Sequence, residues 1–394
     1  MNSYFVDLHI HVGMSENGKW IKIPTSRRLT VKNILEEAIQ YKGMEIVGIV
    51  DALSPLVLED LTRLQEEGLL RLIGGGGYRY KEQITLILGA EIETSEVSGG
   101  MAHTLVYLPD IDSMRQFSYH MSRFIRNINL SSQNAHMPLT ELIHIAASFG
   151  AVIVPAHVFT PHKSLYGSCC ARLPHILGDR EIAQISGIEL GLSADSLLAD
   201  RIDELTEFTF LTNSDAHSLE KIAREYNVML LAEPSFQECV AALSRKNGRA
   251  VTANYGLNPC LGKYHRTMCE GCNYILAESA QENVCPKCGS TKIIKGVFDR
   301  IQAIADFAEP HHPAHRANYF YQIPLEFIPG LGKKSLNKLM AVFQTEMNII
   351  HQADELQLTS VVGKIMAGEI IKARSGTAII SAGGGGIYGR VLKN

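Results

Sequence analysis

Aromatic residues make up only 7% of this 394-residue chain, and there is a single tryptophan. No apolar run is long enough to cross a bilayer as a helix, and the N-terminus lacks a basic segment followed by a long apolar one. A helical membrane protein is therefore excluded, no membrane partner is expected, and the expected location is the cytoplasm. A strong charge excess is also missing: the formal net charge is −4, which alone does not announce a polyanion partner. Its distribution is uneven, with an acidic excess over residues 1–254 and a mild basic excess beyond them. A disulfide framework is absent as well. Of eight cysteines, four form two Cys-x2-Cys pairs, while Cys169, Cys170, Cys239 and Cys260 are scattered. That pattern fits a reducing compartment.

What the chain does contain is apolar material for a large core, 46% hydrophobic against 20% charged. Its length suggests two or three domains. Residues 1–253 alternate short apolar strands (5–11, 46–51, 85–91, 103–108, 151–157, 187–190 and 208–213) with helical stretches (31–41, 56–67, 139–148, 197–204 and 236–246). This is the pattern of a parallel α/β fold and predicts a distorted seven-stranded (β/α) barrel. Residues 255–262 read as a linker. Residues 254–317 are expected to form a zinc-ribbon lobe and connector, and residues 318–394 an all-α, helix-hairpin-helix-like domain.

The segment Asp7-Leu8-His9-Ile10-His11 is the most informative. A strand sends residues i and i+2 to one face, so Asp7, His9 and His11 project together. Three such side chains are costly to bury without an ion that uses them. Asp51, Glu91, His157 and Asp215 each stand at or just beyond the carboxyl end of a predicted strand, where barrel enzymes build their sites, and His103 opens one. Asp215-x-His217 repeats the i, i+2 spacing. Imidazole and carboxylate ligands together suit Zn, Mn or Fe better than Mg or Ca. Their number exceeds one zinc's needs and points to two or three divalent ions sharing carboxylates. Such ions bring a bound water close to ionisation at neutral pH, the chemistry of phosphoester hydrolysis.

These motifs, in this order, resemble the polymerase-and-histidinol-phosphatase (PHP) superfamily of metal-dependent phosphoesterases. The resemblance implies His9, His11, Glu91 and Asp215 around one ion. It implies Glu91 bridging to a second ion held by His103 and His157, with His217 and Asp51 at a third. Asp215, Glu91 and His217 would be the catalytic set, and Asp7 would orient a ligand histidine. One departure stands out: Asp51-Ala52 replaces the family's Asp-His.

Cys269-x2-Cys272 and Cys285-x2-Cys288 form a four-thiolate pattern for one structural zinc. Phe327-Ile-Pro-Gly330-Leu-Gly332-Lys333-Lys334 resembles a helix-hairpin-helix, in which Gly330 and Gly332 let backbone N–H groups approach a phosphate. A fainter copy covers residues 361–372. Lys163, Lys263 and Arg266 are further candidate phosphate contacts. The glycine runs 74–77 and 383–386, each followed by tyrosine and arginine, read either as mobile surface loops or as places where backbone approaches nucleic acid with tyrosines to stack on bases.

Barrel, ribbon and hairpins together, with the Gly-Lys-Tyr-His-Arg-Thr-x-Cys ribbon entry and the Gly-Gly-Gly-Gly-x-Tyr-Gly ending, resemble the endonuclease Q family across the chain. The resemblance implies a repair endonuclease that cuts double- or single-stranded DNA 5′ of a deaminated base (uracil, hypoxanthine, xanthine) or an abasic site. The lesion would be flipped into a pocket that favours a carbonyl over an amino group. Small residues after His157 are candidates for its wall: Ser164, Gly167, Ser168, Cys169, Cys170 and Ala171. The barrel alone would equally suit a phosphatase or phosphodiesterase of small phosphorylated metabolites, which leaves the ribbon and hairpins without a role.

Overall fold

A computed structural model describes residues 1–97, 99–276 and 284–392. The strands are β1 (Asn2–Ile10), β2 (Ile46–Ile49), β3 (Leu70–Leu72), β4 (Tyr78–Tyr80), β5 (Ile84–Ser95), β6 (Met101–Leu108), β7 (Val152–Pro155), β8 (Ile188–Glu189), β9 (Phe210–Leu211), β10 (Tyr226–Leu231) and β11 (Ala250–Gly256). Beyond them come β12 (Met268–Cys269), β13 (Ile293–Ile294) and β14 (Asn318–Tyr321). Ten of these join in one large mixed sheet, with β14-β11-β10-β1-β2-β5-β4-β3 as its path and β6 and β7 branching from β5.

β1, β2 and β5 run parallel, as expected, but β6 runs antiparallel to both of its neighbours, β5 and β7. The sequence reading of a wholly parallel sheet is corrected here. Only residues 96–100 separate β5 from β6, and a parallel crossover needs a dozen residues or more. β8 and β9 pair parallel in a sheet of their own. Single links tie them in: Ser186 N–H donates to Ile153 O, Val158 N–H to Glu189 O, and His11 N–H to Ala216 O.

Most expected helices form, at Val31–Glu37, Pro55–Glu66, Leu139–Ser148 and Phe236–Leu243. The stretch 197–204 shrinks to one turn, Ser196–Ala199. A helix at Ile111–Met121 was not expected. It starts where the Asp110 carboxylate accepts the Ser113 N–H at 2.7 Å, and it buries Met114 and Phe117. The core packs on both faces of β1. Val6 and Leu8 share one apolar cluster with Ile46, Ile87, Leu105, Tyr107, Val152, Val154 and Leu211. Ile10 shares the other with Val47, Ile49, Leu86 and Val106.

The supposed linker begins inside β11, whose residues 253–256 pair in parallel with β14. The last segment is therefore not all-α as expected: it contributes β14 to the main sheet before its helices Lys333–Phe343, Glu346–His351, Glu355–Val362 and Lys364–Arg374, and after them β15 (Ile380–Ser381) pairs with β16 (Arg390–Val391). These close on a small core of Ile328, Leu331, Leu339, Leu358, Ala367 and Ile370. Buried Lys42 ties them to the first part through Glu346 at 3.0 Å. No described helix is long and apolar enough to cross a membrane.

Candidate metal centre and cleft

His9 and His11 lie fully buried at the end of β1. With Asp215 they form one group of three ligand atoms within 4.8 Å of one another, and Glu91, His103 and His157 form a second. Glu91 stands between the two. Its Oε1 lies 2.8 Å from His103 Nδ1, 3.4 Å from His157 Nε2 and 3.6 Å from His9 Nε2, and its Oε2 lies 3.6 Å from His11 Nε2. Asp215 Oδ1 completes the first group at 3.5 Å from His9 Nε2 and 3.4 Å from His11 Nε2. Sequence positions 9 to 215 thus converge on one pocket. The i, i+2 spacing brings His9 and His11 together, but Asp7 does not join them, and β1 is irregular in register between Asp7 and Ile10.

Each imidazole has a partner behind it that sets which nitrogen faces the pocket. His9 Nδ1 is 3.0 Å from Glu189 Oε2, so its Nε2 is the free ligand atom. His11 Nδ1 is 3.1 Å from Asp51 Oδ2, with the same result. His157 Nδ1 meets Thr160 Oγ1 at 3.2 Å, and His103 Nε2 meets Glu93 Oε2 at 3.3 Å. His217 Nδ1 sits 3.0 Å from the Asp215 carbonyl oxygen, and its ring tilts against His11 at 4.8 Å.

Electrostatics show what the pocket requires. Burial by itself would raise Glu91 and Asp215, yet imidazoles around both, and Lys22 beside Glu91, hold the two carboxyls well below their ordinary range. Burial also works against charge on His9, but Glu189, Asp215 and Glu91 push its pKa up to about 10. Lys22 reaches in to meet Glu91 Oε2 at 3.0 Å, His11 Nε2 at 2.9 Å and Ser132 Oγ at 2.8 Å. The cluster is rich in carboxylate, and Lys22 reaches into it. That donor set, with oriented imidazoles, fits transition-metal ions.

Two expected roles change. Asp51 is not on the pocket surface: its oxygens take His11 Nδ1, the Val12 N–H and Ser131 Oγ, so it orients His11 rather than offering an ion a ligand. Asp7 does not touch a ligand ring. Its carboxylate accepts the backbone N–H groups of Ser214 (3.1 Å), Ala223 (3.0 Å) and His9 (3.4 Å), one step deeper along β1, and so holds the loop that carries Asp215. The orienting part expected of Asp7 is played by Glu189. Glu189 ends β8 and stands one residue short of the end of the predicted strand 187–190, so the rule that found Glu91 and His157 comes within one residue of it.

Over the two groups opens a cavity of about 560 Å³ lined by Lys22, Thr160, His162, Lys163, Gly191, Ser193, His217, Lys221, Arg224, Lys263, Tyr264 and Tyr388, among others. Residues from the first 224 positions, from 263–264 and from the C-terminal end meet there. Lys163 pairs with Glu93 at 2.7 Å, and His162 stands edge-on to Tyr264 at 5.8 Å. Lys221, from the loop after His217, meets Glu326 at 2.7 Å and lies over Phe327 at 4.4 Å. Lys22, Lys221 and Arg224 carry no local motif, which is why spacing arguments passed over them, and Tyr388 lies in the Gly-Gly-Gly-Gly-x-Tyr-Gly ending, which by itself gives no link to the metal centre.

Other candidates fall elsewhere. Arg266 is turned inward: it donates to Leu276 O at 3.1 Å and pairs with Asp299 at 3.6 Å, so its guanidinium braces the ribbon. Ser164 is fully buried, with its hydroxyl committed to Thr160 O at 2.5 Å. Gly167, Ser168, Cys169, Cys170 and Ala171 line a separate depression with His175, Lys295 and Arg300. Gly330 (φ +88°) and Gly332 precede the helix Lys333–Phe343, leaving Lys333 and Lys334 exposed.

The four ribbon cysteines also converge. Cys269 Sγ lies 3.6 Å from Cys288 Sγ and Cys272 Sγ 3.6 Å from Cys285 Sγ, with all four within 4.8 Å. Thiolates on a tetrahedral zinc stand roughly 3.8 Å apart. The stretch 277–283 between the pairs lies outside the described residues. Parts of both glycine runs are packed rather than loose. Gly383 and Gly384 are buried, and a Cβ at Gly383 would come within 2.5 Å of Gly389 N. At Gly76 (φ +76°) one would meet Pro109 at 2.9 Å. Glycine serves there for close backbone approach.

No known family profile matches the chain. An uncharacterized protein of Bacillus subtilis, YqxK, is 42% identical over 393 residues, covering 99% of this chain and 100% of that one. An uncharacterized protein of Methanocaldococcus jannaschii is 31% identical over 319 residues, which are 74% of this chain and 37% of that longer protein. Among solved structures, the lesion-specific endonuclease PfuEndoQ from Pyrococcus furiosus is 31% identical, with a TM-score of 0.84 over 99% of this chain and 95% of that one. Endonuclease Q bound to a 27-mer duplex with an abasic lesion at its active site is also 31% identical and covers 97% of that chain, with a TM-score of 0.86. At this identity, and with both chains matched almost end to end, the chain belongs to the endonuclease Q family.

Proposed function

We propose that this protein is a metal-dependent DNA repair endonuclease that hydrolyses the phosphodiester 5′ of a deaminated base or an abasic site. One observation carries the reading: two His/carboxylate groups joined by Glu91 lie at the floor of a cleft whose walls come from the barrel, the ribbon entry and the C-terminal end. A pocket for a small phosphomonoester would need only the first of these. The circuit β1, β2, β5, β6, β7, β8, β9 reads as a distorted seven-stranded barrel of the PHP type. Its support is the shared inner cluster of Val6, Ile46, Ile87, Leu105, Val154 and Leu211, with the single links through β8 and β9.

His9, His11 and Asp215 would hold one ion and Glu91, His103 and His157 another, with His217 at the margin for a third. When bound, zinc or manganese there would supply Lewis acidity, neutralising the phosphoryl oxygens and favouring attack by water at neutral pH. The protein's own groups do the rest. Glu189, Asp51, Glu93 and Thr160 fix the ligand nitrogens. Lys163, Lys221 and Lys263 at the rim place positive charge where the flanking phosphates pass. Tyr264 and Tyr388 offer aromatic faces for an extruded nucleotide. The four thiolates would hold one structural zinc. The helix-hairpin-helix-like tail, with Gly330, Gly332, Lys333 and Lys334, would grip the duplex backbone beyond the cleft.

The test is a labelled duplex carrying one deoxyuridine or abasic site, assayed beside a chromogenic phosphomonoester. A nick 5′ of the lesion, abolished by Asp215→Asn with the fold intact, supports the reading. Release of phosphate from the monoester with the duplex uncut refutes it.

A further inference from the structure

The C-terminal glycine-rich segment is sewn to the ribbon entry. Gly383 N–H donates to Cys260 O at 2.8 Å, Gly386 N–H to Lys263 O at 2.8 Å, and Gly389 N–H to Leu261 O at 3.0 Å. Arg266 N–H returns a bond to Gly383 O at 3.2 Å. A Cβ at Gly389 would stand 2.3 Å from Cys260 O, so the two backbones run closer than any side chain permits. Within this strap Tyr388 faces the cleft.

The Tyr388 hydroxyl accepts Arg224 Nη1 at 3.1 Å. Arg224 is buried, and its other donors go to the loop that carries a predicted metal ligand: Nε to Ser214 O at 2.7 Å and Nη2 to Asp215 O at 3.0 Å. Asp215 has φ +45°, a left-handed conformation that a non-glycine residue keeps only when its surroundings fix it. Two donors pin its carbonyl, Arg224 Nη2 and His217 Nδ1. The far end of the chain thus reaches the metal centre through one guanidinium.

We propose that Tyr388 is a positioning residue of the cleft. Its hydroxyl fixes Arg224, Arg224 fixes the Asp215 peptide, and the Asp215 carboxylate is thereby aimed at the ion shared with His9 and His11. Its ring forms a wall against which the substrate nucleotide lies. The wall role rests on the nuclease reading, whereas the aiming of Asp215 does not.

The experiment compares full-length wild type, Tyr388→Phe and Tyr388→Ala after metal stripping. Each is titrated with Mn²⁺ and then assayed on the deoxyuridine duplex. Tyr388→Phe keeps the ring and loses one hydrogen bond from a charged donor. It should lower Mn²⁺ affinity and kcat by roughly tenfold and leave KM unchanged. Tyr388→Ala should show the same kcat loss and in addition raise KM by roughly tenfold as the aromatic face disappears. Wild-type Mn²⁺ affinity and kcat in Tyr388→Phe overturn the aiming role, and a wild-type KM in Tyr388→Ala overturns the wall. If wild type itself leaves the duplex uncut, the nuclease reading falls, and the Mn²⁺ titration of Tyr388→Phe still decides the aiming role.

Discussion

Replacing Glu189 by Gln would disturb the metal centre without removing a single ligand. Three donors converge on the two oxygens of this buried carboxylate: His9 Nδ1 at 3.0 Å, the His157 backbone N–H at 3.1 Å and Asn213 Nδ2 at 2.8 Å. A glutamine amide presents one oxygen and one NH₂, so whichever way it turns, a donor faces a donor. The cheapest relief is for His9 to move its proton to Nε2, the nitrogen that faces Asp215 and Glu91. A protonated nitrogen cannot coordinate. Loss of such an orienting partner costs 10- to 100-fold in metal affinity, about 1.4–2.7 kcal/mol. Mn²⁺ titration of metal-stripped Glu189→Gln should show that weakening, and excess Mn²⁺ should restore much of the turnover. An affinity equal to wild type would refute the tautomer argument.

Metal binding should also depend on pH. His9 is held charged up to about 10 in the ion-free protein, and an ion needs the neutral ring. Binding therefore expels a proton, and apparent affinity should rise about tenfold per pH unit between about pH 6 and pH 8, as Mn²⁺ titrations in matched buffers will show. A flat profile would contradict this. Cys272→Ser should cut the bound zinc by one equivalent and expose the four-cysteine segment to protease while the main sheet stays resistant, read by metal analysis and limited digestion. Ser168→Trp fills the depression lined by residues 167–171. It should slow cleavage at deoxyuridine more than at an abasic site if that depression receives the base, and equal rates would remove it from recognition.

How much of this was legible in the sequence follows from the range of each interaction. His9 and His11 could be read because strand geometry fixes i and i+2 together. Glu91, His157 and Asp215 could be read because strand ends are where barrel sites form. The exchange of roles among Asp7, Asp51 and Glu189 was not legible, since one residue of depth along a strand separates facing an ion from bracing a loop. Lys22, Arg224 and Tyr388 reach the site through side-chain contacts that no periodicity or spacing records. The antiparallel turn of β6 was written in the short 96–100 connection, which the alternation of strands and helices obscured. The glycine runs could be read two ways for a physical reason: glycine suits both loose loops and backbones pressed together.

The parallel seam between β11 and β14 has a practical consequence for dissection. A fragment ending at residue 253 would cut through β11 and strip β10 of part of its neighbour, baring a row of unpaired amides and carbonyls on an apolar sheet. Such an edge recruits other chains, so a shortened protein would clump before its chemistry could be measured. The enzyme is best assayed whole.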